Sequence, residues 1–179
     1  MSKSKKNVID PNTLLNQYGA DTTRLFCLFA APPERDLEWS EQGVDGGYRF
    51  LNRVWRLAVD LMNAIHNVKS FDGNPASLND ELREVYRKTH QTIYKVTKDI
   101  EDRFHFNTAI SATMELTNTM SAFAEGGNVE PGTPGATVFR YAFDKLVRLL
   151  APMTPHICEE LWERMGQTEN VFKRPYPEA

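Results

Sequence analysis

Apolar side chains recur along this chain in steps of three and four, the spacing that collects them on one face of an α-helix. The clearest stripe runs over residues 40 to 66, through Val44, Tyr48, Leu51, Trp55, Ala58, Met62 and Ile65. A second helix is predicted over 79 to 103, with Leu82, Val85, Thr89, Ile93, Val96 and Ile100 in register. A third starts near Asn107 and uses Ile110, Thr113, Leu116, Met120 and Phe123. A fourth, over 137 to 150, lines up Phe139, Phe143, Leu146 and Leu150, and Thr154-Pro155 opens a fifth that carries Ile157, Leu161, Trp162 and Met165. Nearer the start, Asp10-Pro11 reads as a cap followed by proline in the first turn, with Gly19 as the stop. Asp21 then reads as the cap of a further short helix bearing Leu25, Phe26, Leu28 and Phe29.

Three breaks rich in proline, glycine and asparagine separate these segments: residues 31 to 33, 71 to 75 and 126 to 135. The last is long and glycine-rich, and is expected to be mobile. Sustained alternation with a period of two is missing, apart from a short extended piece possible at residues 6 to 9. Helices this short are marginal alone and must bury their stripes against one another. The predicted class is all-α, an antiparallel helical bundle over residues 41 to 179 preceded by a small helical connector over 1 to 40.

Composition narrows the partners. A chain of 179 residues, 41% hydrophobic and 25% charged, suffices for one substantial core. Its net charge of -3 excludes a bulk basic nucleic-acid binder, so RNA contact must come from local patches. Cys27 and Cys158 lie far apart in apolar helical patterns and read as reduced core cysteines. His66, His90, His105 and His156 show no zinc spacing with either. No apolar run approaches the roughly 20 residues of a membrane span, and no secretory signal is visible. The expected location is the cytoplasm.

The first four residues, Met1-Ser2-Lys3-Ser4, carry candidate chemistry: ammonium and hydroxyl groups on a loop can close on a triphosphate and neutralise charge growing on departing pyrophosphate. The tetrapeptide is similar to part of the Lys-Met-Ser-Lys-Ser signature of class I aminoacyl-tRNA synthetases, without the leading lysine. The succession that follows extends the likeness: Asn7-Val8-Ile9-Asp10-Pro11, then Tyr18-Gly19-Ala20-Asp21-Thr22-Thr23-Arg24. Leu37-Glu38-Trp39-Ser40, Arg49-Phe50-Leu51-Asn52-Arg53-Val54-Trp55, Phe106-Asn107-Thr108-Ala109-Ile110 and Leu150-Ala151-Pro152-Met153-Thr154-Pro155-His156-Ile157 resemble the leucyl-tRNA synthetase family in particular. Valyl-, isoleucyl- and methionyl-tRNA synthetases share the loop and the Tyr-Gly-Ala-Asp block. A non-catalytic helical interaction scaffold would show the same stripes.

The resemblance implies that Lys3 contacts ATP, a substrate used with Mg, while Ser2 and Ser4 shape the loop. It implies tRNA(Leu) as partner and a catalytic nucleotide-binding domain elsewhere in the same polypeptide, because the His-Ile-Gly-His signature does not occur in this chain. The chain is therefore expected to be a catalytically inactive fragment of a leucine-activating ATP-dependent ligase, beginning within the signature loop, with residues 1 to 9 flexible. Neither DNA nor membrane is an expected partner.

Basic groups outside the stripes are the candidate tRNA contacts: Arg49, Arg53 and Arg56 on the first long helix, and Lys88, Lys95 and Lys98 on the second. Each has a solvated-surface alternative. Asp45 could pair with Arg49, Asp60 with Arg56 and Glu84 with Lys88, at about 0.2 to 0.5 kcal/mol each, whereas Arg53 lacks such a neighbour. Trp55 and Trp162 read as core rather than stacking platforms, and Trp39 as a staple against the first long helix. Arg24 reads equally as structural or functional. His156 reads as a packing or capping residue of a first helical turn, and Phe104, His105 and Phe106 as packing.

Overall fold

The computed structural model describes residues 11–32, 34 and 40–179. Among these the regular elements are helical: α1 (Pro11–Phe29), α2 (Glu41–Asp60), α3 (Met62–Ile65), α4 (Asp80–Arg103), α5 (Phe106–Glu125), α6 (Pro134–Leu150) and α7 (Pro155–Arg164). Single 3₁₀ turns follow at Pro75–Ser77 and Val171–Lys173. The predicted all-α class holds. The cap at Asp10, the extended piece at 6 to 9, the flexibility of 1 to 9 and the Trp39 staple lie outside the described residues.

Only Phe104 and His105 join α4 to α5, so the chain must reverse there and lay the two helices antiparallel, in the most extensive contact of the fold. Phe104 makes the reversal in the left-handed region (φ 54°) and is 60% exposed, so the packing role expected of it is not found. Across α4 and α5 lies α6, where Phe139, Phe143, Leu146 and Leu150 are buried as the stripe predicted. Ala136, Val138, Ala142, Val147 and Leu149 are buried too, which makes α6 the most buried helix of the bundle. Each buried Phe or Leu stabilises the fold by about 1.5 to 3 kcal/mol.

One charge sits in that interior. The Arg140 guanidinium, on a residue only 3% exposed, donates from Nη1 to the carbonyls of Ile65 (2.9 Å) and Met165 (2.8 Å). Burial lowers its pKa. The side chain thereby ties together the ends of α3 and α7, whose carbonyls also accept from the Val68 and Asn67 amides.

Local caps explain most helix starts. Side-chain oxygens of Ser40, Asn79 and Thr133 accept from the amides of Gly43, Leu82 and Ala136, at about 1 kcal/mol each. Two boundaries differ from the sequence expectation. The stripe over 40 to 66 is two helices, broken at Leu61. The fourth helix starts at Pro134, inside the expected mobile loop, because Thr133 caps it there. The remaining loop is tied by the Asn128 amide, which donates to the Phe123 carbonyl, and by burial of Val129; a Cβ on Gly135 would collide with the Asn128 carbonyl oxygen. Cys27 is exposed rather than core, while Cys158 is buried and its thiol is pushed up to about 12 by burial.

The expected stop at Gly19 is present as a kink inside α1, in a backbone conformation (φ 82°, ψ 167°) that favours glycine. Asp21, just past it, does not cap its own segment. Its Oδ2 accepts from the Ile157 amide (2.7 Å), and its Oδ1 accepts from the His156 amide (3.4 Å) and lies 2.8 Å from His156 Nδ1. The carboxylate thereby caps α7. Thr154, at the position preceding α7, instead donates its hydroxyl to the Leu150 carbonyl. One turn further along α1, Arg24 donates from Nε to the Met153 carbonyl (3.2 Å) and from Nη2 to the Pro152 carbonyl (3.0 Å). Of its two readings, the structure supports the structural one.

Replacing Asp21 by Ala should remove this borrowed cap and lower unfolding stability by about 2 kcal/mol in a urea titration. A loss near zero would show that α7 does not depend on it. A pH effect is expected at α4–α6, where Tyr141 Oη and His90 Nε2 lie within hydrogen-bond distance (2.9 Å) and Tyr86 stacks on Tyr141 with centroids 5.2 Å apart. Burial and the Lys145 ammonium hold the His90 pKa below its ordinary 6.5. The folded state thus binds its proton less readily than the unfolded chain, so the contribution is complete above that value and is lost as pH falls through the folded one. A His90→Gln variant, still able to accept from Tyr141, should lose less stability than the parent between neutral and mildly acid pH in thermal melts; parallel curves would contradict this.

Candidate nucleic-acid interface

Helix α2 turns Val44, Phe50, Leu51, Val54 and Ala58 inward, and Gly47 lets it approach α1, with Leu25 and Thr22 against the glycine. Steps of four and three then carry Arg49, Arg53 and Arg56 along the opposite, exposed side. The pairings offered by the sequence do not form. Asp45 is taken by Tyr18, whose hydroxyl donates to it at 2.9 Å, and this bond raises the Tyr18 pKa. Among the ion pairs of the described residues, none involves Arg49, Arg53 or Arg56, so Asp60 does not hold Arg56 either.

The three arginines line one open groove together with Gly46, Tyr48 and Asn52. Arg53 and Arg56 also border a second groove, toward Asn118, Ser121 and Glu125 of α5. A row of exposed guanidinium groups with no ion pair among the described residues suits phosphates, which a fork of N–H donors engages bidentately.

The lysines of α4 are placed differently. Lys88 lies 2.6 Å from Glu115 on α5 rather than on Glu84, and its ammonium lowers the Glu115 pKa. Lys95 lies 3.0 Å from Asp99 and Lys98 4.0 Å from Asp102. The structure thus brings the arginines together with no ion pair among the described residues and gives each lysine an acid. Lys3, Ser2 and Ser4 lie outside the described residues. Among the described residues no group of three or more His, Cys, Asp or Glu side chains could hold a metal ion.

Of the tryptophans, Trp162 is core, its Nε1 donating to the Glu169 carbonyl. Trp55 is half-buried, with the Arg164 guanidinium 4.9 Å from its ring centroid. Tyr48, counted in the core stripe, is 45% exposed and edge-on to Tyr18, with centroids 5.8 Å apart. The inward face of α2 is rotated toward Phe50 and Val54, which a stripe drawn from Val44 through Tyr48 missed. The adjacent Gly46-Gly47 pair was the local signal that the helix is approached from that side.

The described residues thus form a helical bundle led by a kinked connector, with a row of exposed arginines on α2 that has no ion pair among them. Residues 83–179 match the family described as the anticodon-binding domain of tRNA ligase, and the chain belongs to that family; residues 1–40 match the one described as class I tRNA synthetases (I, L, M and V). Within these, the chain is 55% identical over 177 residues to the leucine–tRNA ligase of Desulfatibacillum aliphaticivorans, covering 99% of this chain and 20% of that protein. It is 52% identical over 182 residues to that of Syntrophobacter fumaroxidans, covering 99% and 21%. A crystal structure of a ternary complex of Agrobacterium radiobacter K84 agnB2 LeuRS, tRNA and LeuAMS superposes with a TM-score of 0.86 at 36% identity, covering 99% of this chain and 22% of that one. The leucyl resemblance read from the sequence is borne out along nearly the whole chain. The chain spans about a fifth of the length of the curated relatives it matches.

The geometry predicts that exchanging Arg53 for Ala costs little folding stability, within about 0.5 kcal/mol, because the side chain is exposed and unpaired. A larger loss in chemical denaturation would mean that it serves the fold.

Proposed function

We propose that this chain is the tRNA-facing helical part of a leucine–tRNA ligase, an enzyme that activates leucine with ATP and transfers it to tRNA(Leu) in the cytoplasm. The observation that carries the reading is the row Arg49, Arg53 and Arg56, exposed on one side of α2 with no acidic partner among the described residues. These side chains contact tRNA phosphates, reading backbone and shape rather than anticodon bases. Lys88, Lys95 and Lys98 contribute less, since RNA would have to displace the carboxylates that already neutralise them. Leucine is preferred over valine, isoleucine and methionine because the relatives named above are leucine enzymes.

Residues 1 to 40 act as signature loop and connector, and 41 to 179 as the bundle. Lys3 contacts ATP phosphates when leucyl-adenylate forms, with Ser2 and Ser4 shaping the loop; the Mg that accompanies ATP shares in offsetting that charge. The nucleotide-binding domain that aligns leucine with ATP belongs to the remainder of such an enzyme. Without it, proximity is lost, and the chain alone is expected to be inert. Neither a membrane nor DNA is part of this reading; among the described residues no helix is long and apolar enough to cross a bilayer.

Filter binding of a tRNA(Leu) transcript at several salt concentrations tests the reading. Affinity should fall steeply with salt, and Arg53→Ala should weaken binding and reduce the log–log slope by about 1, while Lys98→Ala does little. A salt-insensitive or undetectable association would instead favour a helical protein-interaction scaffold. In an ATP–pyrophosphate exchange assay with leucine, the isolated chain should give no signal above background; exchange at any enzyme-dependent rate would contradict the assignment of catalysis to another domain.

A further inference from the structure

Beside the arginine row lies a second groove, with a volume of about 450 Å³, between the kink of α1, the outer face of α2 and the first turn of α7. It shares Tyr48 and Asn52 with the arginine groove, so the two are continuous. Its walls are mainly apolar and aromatic, from Tyr18, Tyr48, Leu51 and Trp55. Asn52 Oδ1 and His156 Nε2 are among the polar atoms there that have no hydrogen-bond partner among the described residues. Asn52 donates its Nδ2 to the Tyr48 carbonyl, which orients the amide and leaves Oδ1 free as an acceptor. His156 is held at Nδ1 by Asp21, which leaves Nε2 free on a side chain 74% exposed.

An aromatic-walled groove continuous with a row of guanidinium groups can seat a nucleotide: phosphate on the arginines, base against a ring. A continuous RNA duplex cannot use it, because its bases are stacked on one another and offer no free face. An unpaired base can, and aromatic stacking is worth about 1 to 3 kcal/mol per base. We infer that this groove takes a single unstacked RNA base beside Tyr48, with an amino group of that base donating to Asn52 Oδ1 or His156 Nε2, while Arg49 and Arg53 hold the adjoining phosphates. The inference rests on the proposed tRNA contact and adds to it the kind of nucleotide that the surface selects.

The test compares two RNA hairpins of equal phosphate count, one with an uninterrupted stem and one with a single bulged adenosine, against the full chain and its Tyr48→Leu, Tyr48→Phe and Arg53→Ala variants. The parent chain should bind the bulged hairpin at least 5-fold more tightly. Tyr48→Leu should abolish that preference, and Tyr48→Phe should retain it. Arg53→Ala should weaken both hairpins alike. Equal affinity for the two hairpins, or a preference that survives Tyr48→Leu, would overturn the base pocket while leaving the phosphate contact standing. If neither hairpin binds in a salt-dependent way, the tRNA-facing reading itself fails, and the pocket with it. Tyr48 is exposed, so a folding defect is not expected; unchanged circular dichroism melts of both Tyr48 variants check that.

Discussion

The Asp21 carboxylate joins residues 135 apart in sequence, and the arrangement of the surface proposed to meet RNA depends on it. A helix N-terminus exposes amides that nothing in its own turn can satisfy, and α7 begins with proline after a threonine whose hydroxyl is turned away. Asp21 supplies the missing acceptor from α1 and adds a negative charge where the helix dipole favours one. Arg24 closes the neighbouring carbonyls of the α6–α7 turn from the same side. Together they fix α1 on the bundle. Because Gly47 lets α2 lie close against α1, the same latch orients the arginine row and forms one wall of the groove beside it.

Electrostatic economy distinguishes the two basic faces. On α4 every candidate lysine has a carboxylate in range, and the pairs sit on the surface, where they contribute little stability and attract phosphate weakly. On α2 the one acid positioned to neutralise Arg49 is engaged by Tyr18. The chain can therefore carry a net charge of -3 and still offer a concentrated positive strip. A count of charges over the whole sequence would not reveal it.

Periodicity was sufficient for the bundle: the stripe of α6 is buried, and the starts of α2, α4 and α5 fall within a residue of their predicted sites, because caps and stripes are local. The boundaries that moved did so for tertiary reasons. Thr133 starts α6 early, where only Gly135 can pass the Asn128 carbonyl, and Leu61 divides α2 from α3, whose end Arg140 then clamps. In the site, the arginine row was legible as spacing, but its freedom from acids was not, since that depends on where Tyr18 arrives. Asp21 read as a local cap for the same reason: its actual partners belong to a helix at the other end of the chain. Tyr48 fell in the wrong place because one helical stripe of alternating threes and fours can be drawn through either of two adjacent faces. Blocks of sequence, rather than patterns, carried the family, and they did so along nearly the whole chain.

The central claim is that RNA meets this chain on α2. Titrating a tRNA(Leu) transcript into the isotope-labelled chain and following backbone amide and arginine side-chain NMR signals tests it most directly. The account predicts that the largest perturbations fall on Tyr48, Arg49, Asn52, Arg53 and Arg56, with Lys95 and Lys98 nearly unchanged. Perturbations centred on the α4 lysines, with the α2 arginines silent, would contradict it.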